Sequence, residues 1–135
     1  MRVQVAHYKK LSMISAGIVS AAVFFTAGTA LAADAAEGEF VFQDNCGICH
    51  SAEQGAGHKI GPNLFGVIGR TSGTADGFAN FSGAMSEAAI TWDAENLATF
   101  LGGPAEMIPG TIMGFPGFTN PDDEANLVAY IGTLQ

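Results

Sequence analysis

The sequence predicts an all-α domain of three main helices joined by long glycine-rich loops. Two observations predict it. Three segments place apolar residues three or four apart, on one helical stripe, each with its own start or stop signals, and no segment reads convincingly as a strand. In addition, 16 of the 18 glycines follow residue 32, which suggests long loops between few helices. Residues 33–135 make one small domain. A chain of that size buries only a modest core by itself. Loops wrapped over a large apolar cofactor would supply the missing interior.

The chain opens on a targeting segment. Arg2, Lys9 and Lys10 form a basic start, an apolar small-residue run begins at Leu11, and Ala30-Leu31-Ala32 fits an A-x-A cleavage site. Residues 1–32 therefore read as a signal peptide. The alternative is an uncleaved anchor, since 11–33 approaches the length of a membrane span, although its Ser, Thr and Gly residues weaken it as one. Either way the domain faces an exported, oxidising compartment, and a bacterial periplasm is the expectation.

The first helix is expected from about Ala35 to Cys49. Asp34 and Glu37 suit a capping box, and Phe42, Cys46 and Cys49 fall on one stripe. The second begins near Trp92, carries Leu97, Phe100 and Leu101, and stops at Gly102-Gly103-Pro104. The third has Asn120 as cap, Pro121 at the first helical position, and Asp122, Asp123 and Glu124 in the electropositive first turn. Its apolar stripe is Leu127, Tyr130, Ile131 and Leu134.

All 13 carboxylates follow residue 32, against only Lys59 and Arg70, so residues 33–135 carry a formal charge of −11. Nucleic acid is excluded as a partner, because no basic patch exists to neutralise phosphates. An anionic membrane surface is disfavoured for the same reason.

The chemistry lies in Cys46-Gly47-Ile48-Cys49-His50. CxxCH is the haem attachment pattern of c-type cytochromes. Two sulfurs three residues apart on a helix reach one porphyrin edge, and the adjacent histidine turns to the iron. A distant stretch, Pro109-Gly110-Thr111-Ile112-Met113, offers a methionine as the opposite ligand. His/Met ligation gives a relatively high potential and leaves no open position, which points to electron transfer. A thiol redox pair would need a stabilised thiolate. A zinc site would need two more ligands, and these are the only two cysteines. Neither reading requires the downstream methionine segment.

From Cys46 to the end the chain resembles a class I cytochrome c of the mitochondrial type and its soluble bacterial relatives. The resemblance rests on CGICH, on His58-Lys59-Ile60-Gly61-Pro62-Asn63-Leu64-Phe65-Gly66, on Gly69-Arg70 and on Ile90-Thr91-Trp92. Further on it rests on Met107 to Met113 and on Leu127-Val128-Ala129-Tyr130. It implies a small cytochrome c fold wrapped around one haem c. Cys46 and Cys49 would form the thioethers, and His50 and Met113 would ligate the iron. Pro62 would offer its carbonyl to the other nitrogen of His50, fixing the tautomer. Arg70 and the Trp92 indole match propionate contacts, and Thr111 joins the haem-binding set. Gly38, Phe42, Leu127 and Tyr130 match the packing contact between the first and last helices, a folding role.

Met85 and Met107 are the other candidate methionines, but only Met113 follows Pro-Gly-Thr-x. His58 matches a family histidine that ties loops together. The chain departs from the family at three places. Phe81 and Phe100 stand where the family has tyrosines, one against a propionate and one near the methionine ligand. The lysines that ring the haem edge in mitochondrial relatives are missing; Ala105, Glu106 and Ile112 flank the methionine loop. The expected function is one-electron shuttling by a monomer between respiratory or photosynthetic membrane complexes or periplasmic dehydrogenases, with partners that present a basic or apolar docking face. The rival is a haem enzyme or gas sensor, which would need a labile sixth ligand.

Overall fold

The computed structural model describes residues 32–135. The signal segment and its cleavage site fall, apart from Ala32, outside the described residues. Five helices follow one another: α1 (Ala35–Asn45), α2 (Gly83–Glu87), α3 (Ala94–Gly102), α4 (Pro104–Met107) and α5 (Pro121–Thr133). The described residues hold no strand, only an isolated antiparallel bridge between Thr71 and Thr91. No helix among them is long and apolar enough to cross a membrane.

The three long helices are those expected, with ends set by cap chemistry. The Asp34 carboxylate accepts from the Ala36 N–H at 2.8 Å, satisfying one of the donors a helix start leaves open. Asp93 does the same for α3 from Asn96, and Asn120 for α5 from Asp122. The start of α3 therefore lies at Ala94, two residues beyond Trp92. The first helix stops sooner than expected. At its end the N–H groups of both Cys46 and Gly47 reach the Phe42 carbonyl, each at 2.8 Å. This widened turn breaks the regular ladder. Cys49 then bonds back to Cys46 at 2.9 Å and His50 to the same carbonyl at 2.8 Å. The CxxCH segment is thus a separate turn beyond α1.

The helices α1 and α5 cross closely. Leu127 and Ile131 are fully buried there, and the Phe42 and Tyr130 rings meet at 5.5 Å. Gly38 makes the approach possible: a Cβ on it would stand 1.9 Å from the Asn126 carbonyl oxygen. The Asn126 side chain in turn accepts from the Asp34 N–H at 2.7 Å. Around this crossing pack Val67, Trp92, Leu97, Phe100, Leu101, Ile108 and Leu134.

Candidate haem site

Beside this core opens a cleft with about 1090 Å³ of empty space, its mouth included. Its walls come from several separate segments of the chain. The turn after α1 brings Cys46, Cys49 and His50; the following loop brings Gly61, Pro62 and Leu64. The α2 region brings Phe81 and Met85, α3 brings Leu97, Phe100 and Leu101, and the segment before α5 brings Thr111 and Met113. Of the eight residues expected to hold the cofactor, seven line this one cavity: Cys46, Cys49, His50, Pro62, Trp92, Thr111 and Met113. They come from segments up to 67 residues apart in the chain.

His50 is held from two sides. Its Nδ1 is 2.8 Å from the Pro62 carbonyl oxygen. A carbonyl only accepts, so Nδ1 carries the proton and Nε2 keeps a bare lone pair. Gly61 lies flat against the ring, where a Cβ would come within 2.3 Å of Cε1. Burial lowers the His50 pKa, against the smaller opposing effect of the Pro62 carbonyl, with Lys59 adding slightly to the lowering. The ring is neutral and ready to bind a metal.

The thiols point away from thiol redox chemistry. Both cysteines are free. Burial, with a contribution from Cys49, pushes the Cys46 thiol up to about 11. An attacking thiol needs the opposite shift.

Trp92 is placed by its backbone. Its N–H bonds to the Arg70 carbonyl at 2.9 Å, and its carbonyl accepts from Gly69 at 2.7 Å. The ring packs on Phe100 at 5.1 Å. The indole N–H has no protein acceptor among the described residues, yet no buried side-chain donor there is orphaned. Trp92 itself lines the cavity. Ile108, Pro109, Gly110 and Thr111 form a tight turn closed by a 3.0 Å bond from the Thr111 N–H to the Ile108 carbonyl. Gly110 takes the positive φ of 93°; proline before glycine is the pattern of a type II turn. The Thr111 hydroxyl oxygen then accepts from the Met113 N–H at 3.3 Å, fixing the start of the methionine segment.

Arg70 is the member of the set that does not line the cavity. Its guanidinium donates to the carbonyls of Asn63 at 3.1 Å and Phe65 at 2.6 Å, clamping the segment that presents Leu64 to the cleft. His58 is engaged on both nitrogens: one donates to the Asp76 carbonyl at 2.8 Å, and the other accepts from the Asn63 N–H at 2.9 Å. No nitrogen is left for a metal. Among the methionines, Met113 and Met85 line the cavity and Met107 packs into the core instead. Sequence reasoning did not single out Gly61 as a contact of the histidine, and the only signal was a glycine before a proline in the loop.

The site fits a haem. Two thiols, a neutral imidazole and two thioethers line one cavity, and aromatic and aliphatic side chains make up most of the remaining lining. When bound, haem supplies one-electron Fe(II)/Fe(III) chemistry.

The comparisons with known proteins agree. The family model described as Cytochrome c matches residues 35–135. The chain is similar to a protein named "Cytochrome c" from Chlamydomonas reinhardtii, 48% identical over 106 residues, covering 78% of this chain and 94% of that protein. It is also similar to "Cytochrome c" from Nigella damascena, 44% identical over 100 residues, covering 74% and 89%. A third similar protein, "Cytochrome c" from Ulva intestinalis, is 43% identical over 98 residues, covering 73% and 87%. These relatives come from plants and algae, cells without a periplasm. The bacterial periplasm expected from the leader pattern is therefore corrected, and the comparisons point to the mitochondrial intermembrane space.

Proposed function

Because the chain belongs to the cytochrome c family and carries haem c through Cys46 and Cys49, we propose that it is a one-electron carrier whose axial ligands are His50 and Met113. The observation that carries this reading is the His50–Pro62 bond of 2.8 Å. It fixes the tautomer, orients the ring and makes Nε2 the stronger donor, which a permanent ligand needs. Met113 lines the same cavity, delivered by the turn at Pro109-Gly110. With His50 and Met113 as its ligands a bound haem would keep no coordination position for substrate and would supply one-electron transfer alone.

The other residues serve that purpose. Trp92, which lines the cavity, would offer its indole N–H to a propionate, and Thr111 lines the same cavity beside Met113. Arg70 acts through the 63–65 segment it clamps and adds a positive charge near the site; burial lowers its pKa, but not far enough to neutralise a guanidinium. Leu97, Phe100, Leu101 and Ile131 give the cavity an apolar lining that would keep water from a bound haem and disfavour its more charged ferric state. The donors and acceptors are redox proteins: respiratory or photosynthetic membrane complexes, or dehydrogenases. The carrier works as a monomer.

Stopped-flow mixing of the ferrous protein with membranes of the source organism tests this. A carrier is oxidised in single turnovers and re-reduced by a donor in the same membranes, with no other product. Consumption of peroxide by the purified protein at comparable rates would show a haem enzyme instead.

A further inference from the structure

Asn63 engages every polar group it has. Its Nδ2 donates to two carbonyls, Glu53 at 2.9 Å and Ala56 at 2.8 Å. Its Oδ1 accepts from the Phe65 N–H at 2.9 Å. Its backbone N–H donates to His58 Nδ1 at 2.9 Å, and its carbonyl accepts from Arg70 at 3.1 Å. Both hydrogens and the oxygen of the side-chain amide are thus in use.

The residue before it is Pro62, whose carbonyl accepts from His50. Proline has no N–H, so Pro62 cannot anchor that carbonyl through a donor of its own. The anchor lies on the next residue. The Pro62 carbonyl and the Asn63 N–H belong to one planar trans peptide and point opposite ways. The oxygen can swing away from His50 only if the N–H swings too. His58 holds that N–H, and the 53–56 turn holds the side chain of the same residue. The bonds also run in one direction. His50 donates to the Pro62 carbonyl, the same peptide donates from Asn63 to His58, and His58 donates from Nε2 to the Asp76 carbonyl. Such a chain polarises each member in the same sense.

We propose that Asn63 is a positioning residue for His50. Through the Pro62–Asn63 peptide it sets how firmly the imidazole Nδ1–H is held, and so how strongly Nε2 donates to a bound iron. The proposal rests on His50 as an axial ligand, as read above, and adds what sets the strength of that ligand. A histidine whose other nitrogen is well bonded is the more basic ligand. Stronger donation favours Fe(III) and lowers the potential.

Asn63→Ser tests this in the holoprotein. Serine keeps an oxygen for the Phe65 N–H but loses both bonds to Glu53 and Ala56, with no change of charge. The potential should rise and the His50 Nδ1–H resonance should move upfield. In the ferrous protein that proton should exchange about 5- to 30-fold faster. Gly38→Ala, weakened at the helix crossing instead, should melt earlier yet keep the wild-type potential and resonance. An Asn63→Ser protein with a lowered Tm but the potential and resonance of wild type would overturn the proposal, leaving Asn63 a loop-stabilising role alone. Wild type gives a second reading that needs no variant: the Asn63 side-chain amide protons should exchange more slowly than those of free asparagine. Exchange at the free rate beside a protected His50 Nδ1–H would equally overturn it. A ferric wild type without hyperfine-shifted His50 ring signals would remove the ligand assignment and this proposal together.

Discussion

The missing side chain of Gly61 defines the position of His50: a Cβ there would stand 2.3 Å from Cε1 and 2.7 Å from Nδ1 of the ring. The glycine and the Pro62 carbonyl work as a pair. One lets the backbone lie against the imidazole, and the other accepts the hydrogen bond from its Nδ1–H. Gly61→Ala must push the ring away and break the 2.8 Å bond to Pro62. The loss is about 1–3 kcal/mol from overpacking and about 1 kcal/mol from the hydrogen bond. The yield of covalently loaded protein relative to total chain should fall several-fold. A yield equal to wild type would mean the loop moves aside at no cost.

The crossing of α1 and α5 makes a parallel prediction. In Gly38→Ala the new methyl meets the backbone carbonyl of Asn126, at 1.9 Å before relaxation. Backbone cannot yield as a flexible side chain does, so the helices must separate. The expected cost is about 3 kcal/mol, equivalent to a fall in Tm of at least about 10 °C. Thermal unfolding of holoprotein measures it, and the absorption spectrum of the folded variant should be unchanged.

Much of this was legible in the sequence, and for identifiable reasons. Asp34 and Asn120 announce their helices because capping is local chemistry between neighbours. CxxCH announces the site because haem c attaches through that pattern, and the segment ending in Met113 lines the same cavity. The residues that failed to show were those whose role depends on distant backbone. Nothing near Cys46 in sequence reveals that Gly47 joins it on the Phe42 carbonyl and ends α1 early. The helices α2 and α4 have five and four residues, too few for a periodic stripe. Arg70 matched a propionate contact by position, whereas its two bonds to the 63–65 segment depend on how that loop turns. The compartment was misjudged because a basic start, an apolar run and A-x-A describe a leader without saying which membrane it addresses.

Salt dependence follows from the charge. With −11 on residues 33–135, association with a basic partner should slow as ionic strength rises, because steering is screened within about 8 Å at physiological salt. Reaction with a partner whose face recognises lysines should speed up instead. Second-order rate constants from about 10 to 500 mM salt decide the matter. Rates flat in both cases would show that the carboxylates lie too far from the contact to matter.

Phe100 lines the cavity with Met113 and carries no hydroxyl. A donor to the methionine sulfur would withdraw electron density and favour Fe(II). Phe100→Tyr should therefore raise the potential. A net hydrogen bond of about 0.5–1.5 kcal/mol corresponds to about 20–65 mV for one electron. Potentiometric titration at one pH and salt checks the sign. An unchanged or lower value would place the new hydroxyl away from the sulfur.

The most direct measurement is the response of the reduced holoprotein to carbon monoxide at neutral pH, in wild type and in Met85→Ala, Met107→Ala and Met113→Ala. If His50 and Met113 fill both axial positions, wild type, Met85→Ala and Met107→Ala leave the spectrum unchanged under CO. Met113→Ala binds it readily and shows a lower potential. Wild-type protein that takes up CO, or a Met113→Ala variant that does not, would contradict the account.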